Sequence, residues 1–491
     1  MDGPSRDEAW KNLLIAEHHD TMIVAIFNEG RYFLDPSREL SAGLAKEMAQ
    51  FLAAGTQARG EALFVFNPTG HPRTDTVVLK APGPVRVIAP DGTAVATAAG
   101  VSGACFVARD IPALGYKVYR IEPGAPAAAS QSAPAEAKEF ETGRYQVSFG
   151  PEGGLVKLRD KLTGKDVMPE GPRTGVLEGV IDGEVKQSHG QVKLPCQGAG
   201  VWQAVETGTV GAVGYEMVYT FTADNVRIDL DIRLDIPKGT LIGRPNDPKR
   251  RGWGGQWDHG AKLRYVFNAS LEDMMGKGPR AARHQPLIVQ TAGAGEQTLD
   301  ANLWASVETE RSGLAITNAG SMGYRAVGTS LEAILAYSGQ YNWGGQKLLE
   351  GPYAYRYAIV PYGGYSLNSY CMHEPSYGGI APRAMVHRQA VERDRPLYVL
   401  AFQGQGGKGP LAGSAVELPK MDDAVTVQAL FPQDGRLFLR LINMGEKPMS
   451  VALPGRVAAI NMALTKPTPV DSPLLLHPWR AQTYEMAPKT P

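Results

Sequence analysis

Along most of the chain, apolar and polar positions alternate with a period of two. The clearest stretch is VRIDLDIRLDI, residues 226–236. Val226, Ile228, Leu230, Ile232, Leu234 and Ile236 fall on one side, and Arg227, Asp229, Asp231, Arg233 and Asp235 on the other. This predicts an antiparallel strand with one face in a core and one face in water. Similar runs at 62–67, 75–80, 116–121, 144–149, 215–222, 396–402, 424–430 and 436–442 are separated by Gly, Pro and Asp turns, which predicts β-sandwiches. The beginning of the chain reads differently. Residues 7–20 predict a helix that is apolar on more than one side, through Trp10, Leu13, Leu14 and Ile15, and therefore packed among other helices. In a second helix Leu40, Leu44, Met48 and Leu52 recur every fourth residue, with Asp35 as N-cap, Pro36 in the first turn and Gly55 as the stop.

A length of 491 residues exceeds what one core supports and predicts three or four domains. The period changes divide the chain into a helical segment 1–58, a small β-domain 59–121, a linker 122–138 rich in Ala, Pro and Ser, a large β-domain 139–395 and a C-terminal β-layer or sandwich 396–491. The expected class is mainly β with a short helical start. Lys+Arg and Asp+Glu both number 50, so the basic footprint that nucleic acid or an anionic membrane demands is absent; a neutral small molecule or a sugar fits better. Cys105, Cys196 and Cys371 are widely spaced and form no metal-binding pattern, which predicts buried thiols. The opening residues lack a secretory pattern and no apolar run is long enough to cross a membrane, so the expected compartment is the cytoplasm.

Four groups of residues carry candidate chemistry. Asp229 and Asp231 share a strand face as paired carboxylates, but they alternate with Arg227 and Arg233, which favours a solvated face. The glycine-rich stretch 243–260 sets Trp253, Trp257, Asp258 and His259 together. Aromatic faces beside hydrogen-bonding groups suit a sugar, although the same residues would also anchor a loop. The tyrosine-rich stretch 341–379 contains Tyr341, Trp343, Arg356 and His373. It could line a saccharide groove, form cross-strand pairs through Tyr353, Tyr355 and Tyr357, or supply a lyase with groups for proton abstraction. Last is EHHD, residues 17–20. Adjacent helical residues lie about 100° apart, so His18 and His19 cannot both face one metal, and buried structural histidines explain the motif equally well.

Several stretches, in order, resemble glycoside hydrolase family 38, the zinc-dependent α-mannosidases, over its C-terminal half. They are AWKNLLIAEHHD (9–20), ALFVFNPTGHPRTDTVVL (62–79), VARDIPALGYKVYRI (107–121), FETGRYQVSFGPEGGLVKLRDKLTGKDV (140–167), SGLAITNAGSMGYRA (312–326) and GPYAYRYAIVPYGG (351–364). The resemblance implies that 139–395 is a galactose-mutarotase-like β-supersandwich. It implies His19 as a zinc ligand, Asp20 beside the sugar and His18 in support; Trp257, His259, Tyr341 and Trp343 remain the candidate sugar contacts read from the residues themselves. It implies zinc as cofactor, in a site that this chain completes only in part. The family's remaining ligands and its nucleophilic aspartate belong to an α/β barrel preceding this helix, to which no residues here correspond. Two departures stand out: Thr21-Met22-Ile23-Val24 replaces a glycine-containing continuation, and 336–346 lacks an arginine-bearing strand end. The expectation is the C-terminal portion of a retaining α-mannosidase-like enzyme, either a fragment or diverged, that is inactive alone. A glycan is the expected ligand; a preceding catalytic domain or further copies of the chain are the expected protein partners. The other classes are a non-catalytic carbohydrate-binding protein and a polysaccharide lyase using Tyr370, His373, His259 and Arg280.

Overall fold

The computed structural model describes residues 3–16, 31–80, 85–124, 138–223, 225–244, 258–273, 276–286, 288–293, 295–309, 311–340, 346–363, 382–414, 418, 421–422, 424–445, 447–453, 457–461, 464–465, 467–470 and 473–486. Its centre is a two-sheet sandwich. The larger sheet has nine strands in the order His189–Gly198, Val201–Val210, Val213–Thr222, Ile228–Ile236, Gly351–Gly363, Ser312–Asn318, Trp304–Glu308, Arg280–Gln285 and Ile288–Ala292. The facing sheet has six, in the order Glu184–Gln187, Val176–Ile181, Leu263–Asn268, Ser330–Ala336, Gly323–Val327 and Gln297–Asp300. The period-two strand sits at the middle of the larger sheet. Ile228, Leu230, Ile232, Leu234 and Ile236 are buried against Tyr219, Tyr265, Phe267, Tyr324 and Tyr357 in one continuous core. Each such side chain contributes about 1.5–3 kcal/mol on burial.

The polar side of that strand faces water only toward its end, at Arg233 and Asp235. The larger sheet's outer face carries a helix, α3, and the small β-domain. We number the helices of the described residues α1 (Gly3–Ala16), α2 (Arg31–Gly55) and α3 (Pro382–Asp394). Small residues on the sheet, Ala282 and Ala315, let Met385, Val386 and Ala390 of α3 approach closely beside Trp304, Val360 and Tyr362. The sequence PRAMVHRQAVERD lacks a clean apolar stripe and was not anticipated as a helix, because α3 buries its polar side chains as well. Arg227 is buried between three carboxylates: Asp75 of the small domain at 2.7 Å, Asp229 of its own strand at 2.6 Å and Glu392 of α3 at 3.2 Å. Arg393 of α3 reaches Asp229 at 3.6 Å and Asp231 at 2.5 Å. Burial alone would push the Asp75 carboxyl up, but the Arg227 and Arg73 guanidinium groups outweigh it and hold it well below the usual carboxylate range.

The small β-domain pairs a sheet ordered Tyr398–Gln405, Arg59–Asn67, Gly115–Pro123, Val85–Ile88 and Ala94–Val95 with a three-stranded sheet of Arg73–Leu79, Gly103–Ile111 and Ala98–Gly100. The division expected at residue 396 is crossed here, since Tyr398–Gln405 hydrogen-bonds along Arg59–Asn67 from Phe66↔Tyr398 to Arg59↔Gln405. Of the remaining C-terminal strands, Ala412–Ser414 also joins the small domain, at Gly115–Pro123, and the others build a separate five-stranded sheet and a two-stranded one around a core of Val425, Leu439, Leu441, Val457 and Tyr484. The five-stranded sheet meets the small domain where His71 Nε2 lies 2.8 Å from the Val425 carbonyl. Residue 70 must be glycine there, because a Cβ would come within 2.4 Å of Val427.

The helices also depart from expectation. α2 begins at Arg31 rather than beside Asp35, with Pro36 inside it. The first four helical N–H groups have no intrahelical acceptor anyway, so a proline at the sixth position removes a single bond. α2 ends at Gly55, as expected, and packs Ala49 and Ala53 on Ala62, Phe64 and Val118. α1 is not enclosed by other helices. It touches α2 at Ala9, whose carbonyl accepts from Ser37 Oγ at 2.9 Å, while Trp10 and Leu14 are 58% and 62% exposed.

Breaking the network around Arg227 strands a buried charge, which typically costs about 3–5 kcal/mol. Asp75→Asn is expected to lower the unfolding free energy by about that amount in urea denaturation. Arg233→Ala, on the exposed end of the same strand face, is expected to cost less than about 1 kcal/mol. The Asp75 contribution is complete above the ordinary carboxylate value of 3.8 and is lost as the pH falls below it toward the depressed value. Acid unfolding of the Asp75→Asn variant is therefore expected to be less steep.

Candidate functional site

Of the sugar contacts expected from the sequence, His259 lies among the described residues. His18, His19, Asp20, Trp257, Tyr341 and Trp343 lie outside them. His259 opens a single 3-10 turn, His259–Ala261, which leads into the strand Leu263–Asn268. Asp258 caps that turn, its Oδ1 accepting from the Ala261 N–H at 3.2 Å. The other Asp258 oxygen faces Arg244 Nε at 3.5 Å. The Tyr337 hydroxyl donates to the Arg244 carbonyl at 3.5 Å, and Ile242 bridges to Ser338. Gly243 is required at this junction: its φ is +94°, and a Cβ would meet the Tyr337 ring at 2.7 Å. The described flanks of the two aromatic stretches, 245–257 and 341–345, thus rise from one place on the sandwich.

Strand register completes the surroundings. Leu263 pairs with Ala336, which sets Lys262 beside Tyr337 with its Nζ 5.5 Å from the ring centre. Burial lowers the Lys262 ammonium from its ordinary value, against the opposing pull of Asp300 and Asp258. Burial, followed by the charge on Lys262, lowers the His259 imidazolium in the same way, with Asp300 and Asp258 again opposing. Next to them runs a cross-strand ladder of alternating charge. Glu178 pairs with Arg264 at 3.1 Å, Arg264 with Glu332 at 2.5 Å, Glu332 with Arg325 at 2.9 Å and Arg325 with Glu296 at 2.7 Å. The ladder fixes its own charges, leaving His259, Lys262, Asp258 and Asp300 as the groups able to exchange partners with a ligand. A neutral imidazole both donates and accepts, a carboxylate accepts, and an aromatic ring covers a C–H face, which together match a polyhydroxylated ring.

Lys262, Asp300, Tyr337 and Arg325 were not anticipated. No local signal marks them, since they are brought to His259 only by the pairing of distant strands. The paired carboxylates Asp229 and Asp231 are instead held by Arg227 and Arg393. They line a cleft of 380 Å³ between the small domain and the sandwich, together with Glu216, Arg233 and Arg356. Their ion pairs leave neither as a ready nucleophile. Of the lyase set, the described members His259 and Arg280 are not brought together. Arg280 binds Glu308 at 3.2 Å, and Glu308 in turn accepts from Tyr362 at 2.6 Å, beyond the Asn268 end of the strand that His259 precedes. The six residues of Leu263–Asn268 alone span about 20 Å; Tyr370 and His373 lie outside the described residues. Among the described residues no three His, Cys, Asp or Glu side chains converge as a metal site, and His19 is not among those residues. Cys105 and Cys196 are buried free thiols, as expected.

Comparison with known proteins places this geometry in context. No protein-family model and no curated protein sequence matches the chain. Two solved structures from Enterococcus faecalis do. One, an α-mannosidase from strain V583, aligns with a TM-score of 0.75 and 13% identity over 99% of this chain and 63% of its own. The other, a protein in the glycosyl hydrolase family 38, aligns with a TM-score of 0.71 and 14% identity over 98% of this chain and 66% of its own. From helical start to C-terminal sheet, the chain therefore carries the fold of glycosyl hydrolase family 38 structures while spanning less than two thirds of the length of either.

Proposed function

We propose that the chain is the C-terminal, sugar-contacting portion of an α-mannosidase-like retaining glycoside hydrolase, acting on α-mannosides or related glycans when complete. The observation that carries this reading is the fold likeness over 99% of the chain to a structure described as an α-mannosidase, in the same order as the sequence resemblance. In this reading His259, Lys262, Asp258 and Tyr337 contact sugar hydroxyls and a ring face, with Trp257, Tyr341 and Trp343 completing the wall. His18, His19 and Asp20 contribute from the helical segment, His19 as the chain's one donor to a zinc ion. The nucleophile and the general acid belong to a domain outside these residues, so no bond-breaking step is derived for this chain.

The helical hairpin supports a further partner. Besides Trp10 and Leu14 it exposes Tyr32 and Phe51, the latter 75% exposed. Large apolar groups gathered on one short segment suit a protein surface better than water. A preceding catalytic domain is the partner proposed here; a second copy of the chain would use the same groups.

Incubated alone with an aryl α-mannoside, the purified 491-residue chain is expected to bind without releasing product. Isothermal titration with mannobiose is expected to show binding that survives a chelator and weakens about tenfold in His259→Ala, the loss of roughly one hydrogen bond. Turnover abolished by His19→Ala would overturn the incomplete-site reading, and absence of any mannoside binding would overturn the functional one. The electrostatics give an independent check. Because burial and Lys262 lower the His259 imidazolium, its NMR titration midpoint is expected below the ordinary 6.5, and Lys262→Met is expected to move the midpoint upward by removing the neighbouring cation.

A further inference from the structure

Two imidazoles meet in the seam between α3 and the nine-stranded sheet. His284, on Arg280–Gln285, and His387, on α3, are 6% and 5% exposed, with ring centres 4.8 Å apart at an interplanar angle of 39°. The Trp304 indole lies 6.3 Å from His284. Among the described residues neither Nδ1 has a hydrogen-bond partner, and neither do Trp304 Nε1 and Thr317 Oγ1 on the same sheet face. Buried polar atoms are normally paired, so two tilted imidazoles in contact at a helix–sheet seam, each with an unpartnered Nδ1, call for an explanation.

Their surroundings tolerate the neutral rings and oppose the charged ones. On α3 the neighbouring charges are Arg383, Arg388, Glu392, Arg393 and Asp394, followed by Arg395. The sheet presents Arg280, Arg283 and Glu308 on the adjacent strands and Arg356 on Gly351–Gly363; Ser312–Asn318 presents no ionisable side chain. Of the three carboxylates in this set, Asp394 lies 3.8 Å from Arg395 at the far end of the helix, with its carboxyl raised by burial, and the other two are already committed. Glu308 is held by Arg280 and Arg383, and Glu392 by Arg227 and Arg388 at 3.2 Å each. Burial pushes the His284 imidazolium down to about 4. Burial, the neighbouring His284 and then Arg395 push His387 well below its ordinary value.

What α3 holds makes the seam consequential. The small β-domain grips the carboxyl end of α3: Arg73 donates to the Glu392 and Arg395 carbonyls at 2.6 Å each, and Arg388 donates back to the Pro72 carbonyl at 3.0 Å. We propose that His284 and His387 form an acid-operated latch, in which protonation of the pair expels α3 from the sheet and loosens the small β-domain fastened to its carboxyl end. The sign follows from linkage. Docked rings are neutral, whereas released rings take up protons at the ordinary 6.5. The docking equilibrium is therefore level above that pH. Below it the equilibrium falls by up to tenfold per pH unit for each proton, until the docked rings themselves titrate near 4 in the case of His284. The Asp75 carboxylate, with an ordinary value of 3.8, stays ionised over most of that window, so the ion-pair network does not mask the effect.

Hydrogen exchange resolved by peptide, corrected for intrinsic rates, tests the latch on the whole chain. Between pH 7 and pH 5 the opening constant of the α3 peptides is expected to rise at least tenfold, while peptides of Ile228–Ile236 stay unchanged; His284→Gln with His387→Gln is expected to flatten the response. Should the double variant fail to fold, His387→Gln alone is expected to reduce the slope by one proton. A wild-type α3 whose protection is level with pH, a double variant with the same slope as wild type, or carbon-detected titration placing both docked imidazoles near 6.5 would overturn the proposal.

Discussion

The arrangement of this molecule depends on one desolvated guanidinium. Arg227 lies between Asp75, Asp229 and Glu392, which come from the small β-domain, the central sheet and α3. A guanidinium cannot lose its proton in a protein and presents donors in several directions at once. Once buried, it must therefore find carboxylates on every side, and here each side belongs to a different part of the chain. Packing of the apolar core explains why each part folds. The need to satisfy Arg227 explains why they meet in one register, since a shift of any of the three would leave a charge uncovered.

The same constraint shows which part of the fold was legible in the sequence. Period-two patterning located the strand Ile228–Ile236 and most of its neighbours, because side-chain direction on a strand is a local property. Patterning says nothing about what covers the second face. A row such as Arg227, Asp229, Asp231 and Arg233 looks the same whether it meets water or an opposing set of charges, and here the row is divided between the two. α3 escaped notice for a related reason. Its arginines and Glu392 have partners on other elements, so a helix read alone as mostly polar is in fact largely enclosed.

The candidate site was visible to the same extent. His259 stood out through its aromatic and glycine neighbours in sequence, which are local cues. Lys262 lies three positions from His259 and was still passed over, because its significance rests on Tyr337 across a strand pair and on Asp300 from a third strand. Sites built at the ends of strands are distributed in sequence by construction. A single sequence therefore shows their aromatic residues sooner than their charges.

The pairing of Tyr398–Gln405 with Arg59–Asn67 also bears on how the polypeptide reaches this state. The small β-domain begins early in the chain, yet its sheet keeps an open edge beside Phe64 until the segment around residue 400 has been synthesised. Closing so long a loop carries an entropic cost that can be met only once that segment is present. During synthesis the open edge is a ready template for pairing with another nascent chain. The small β-domain is thus begun early in this chain and completed only after the segment around residue 400 has joined it.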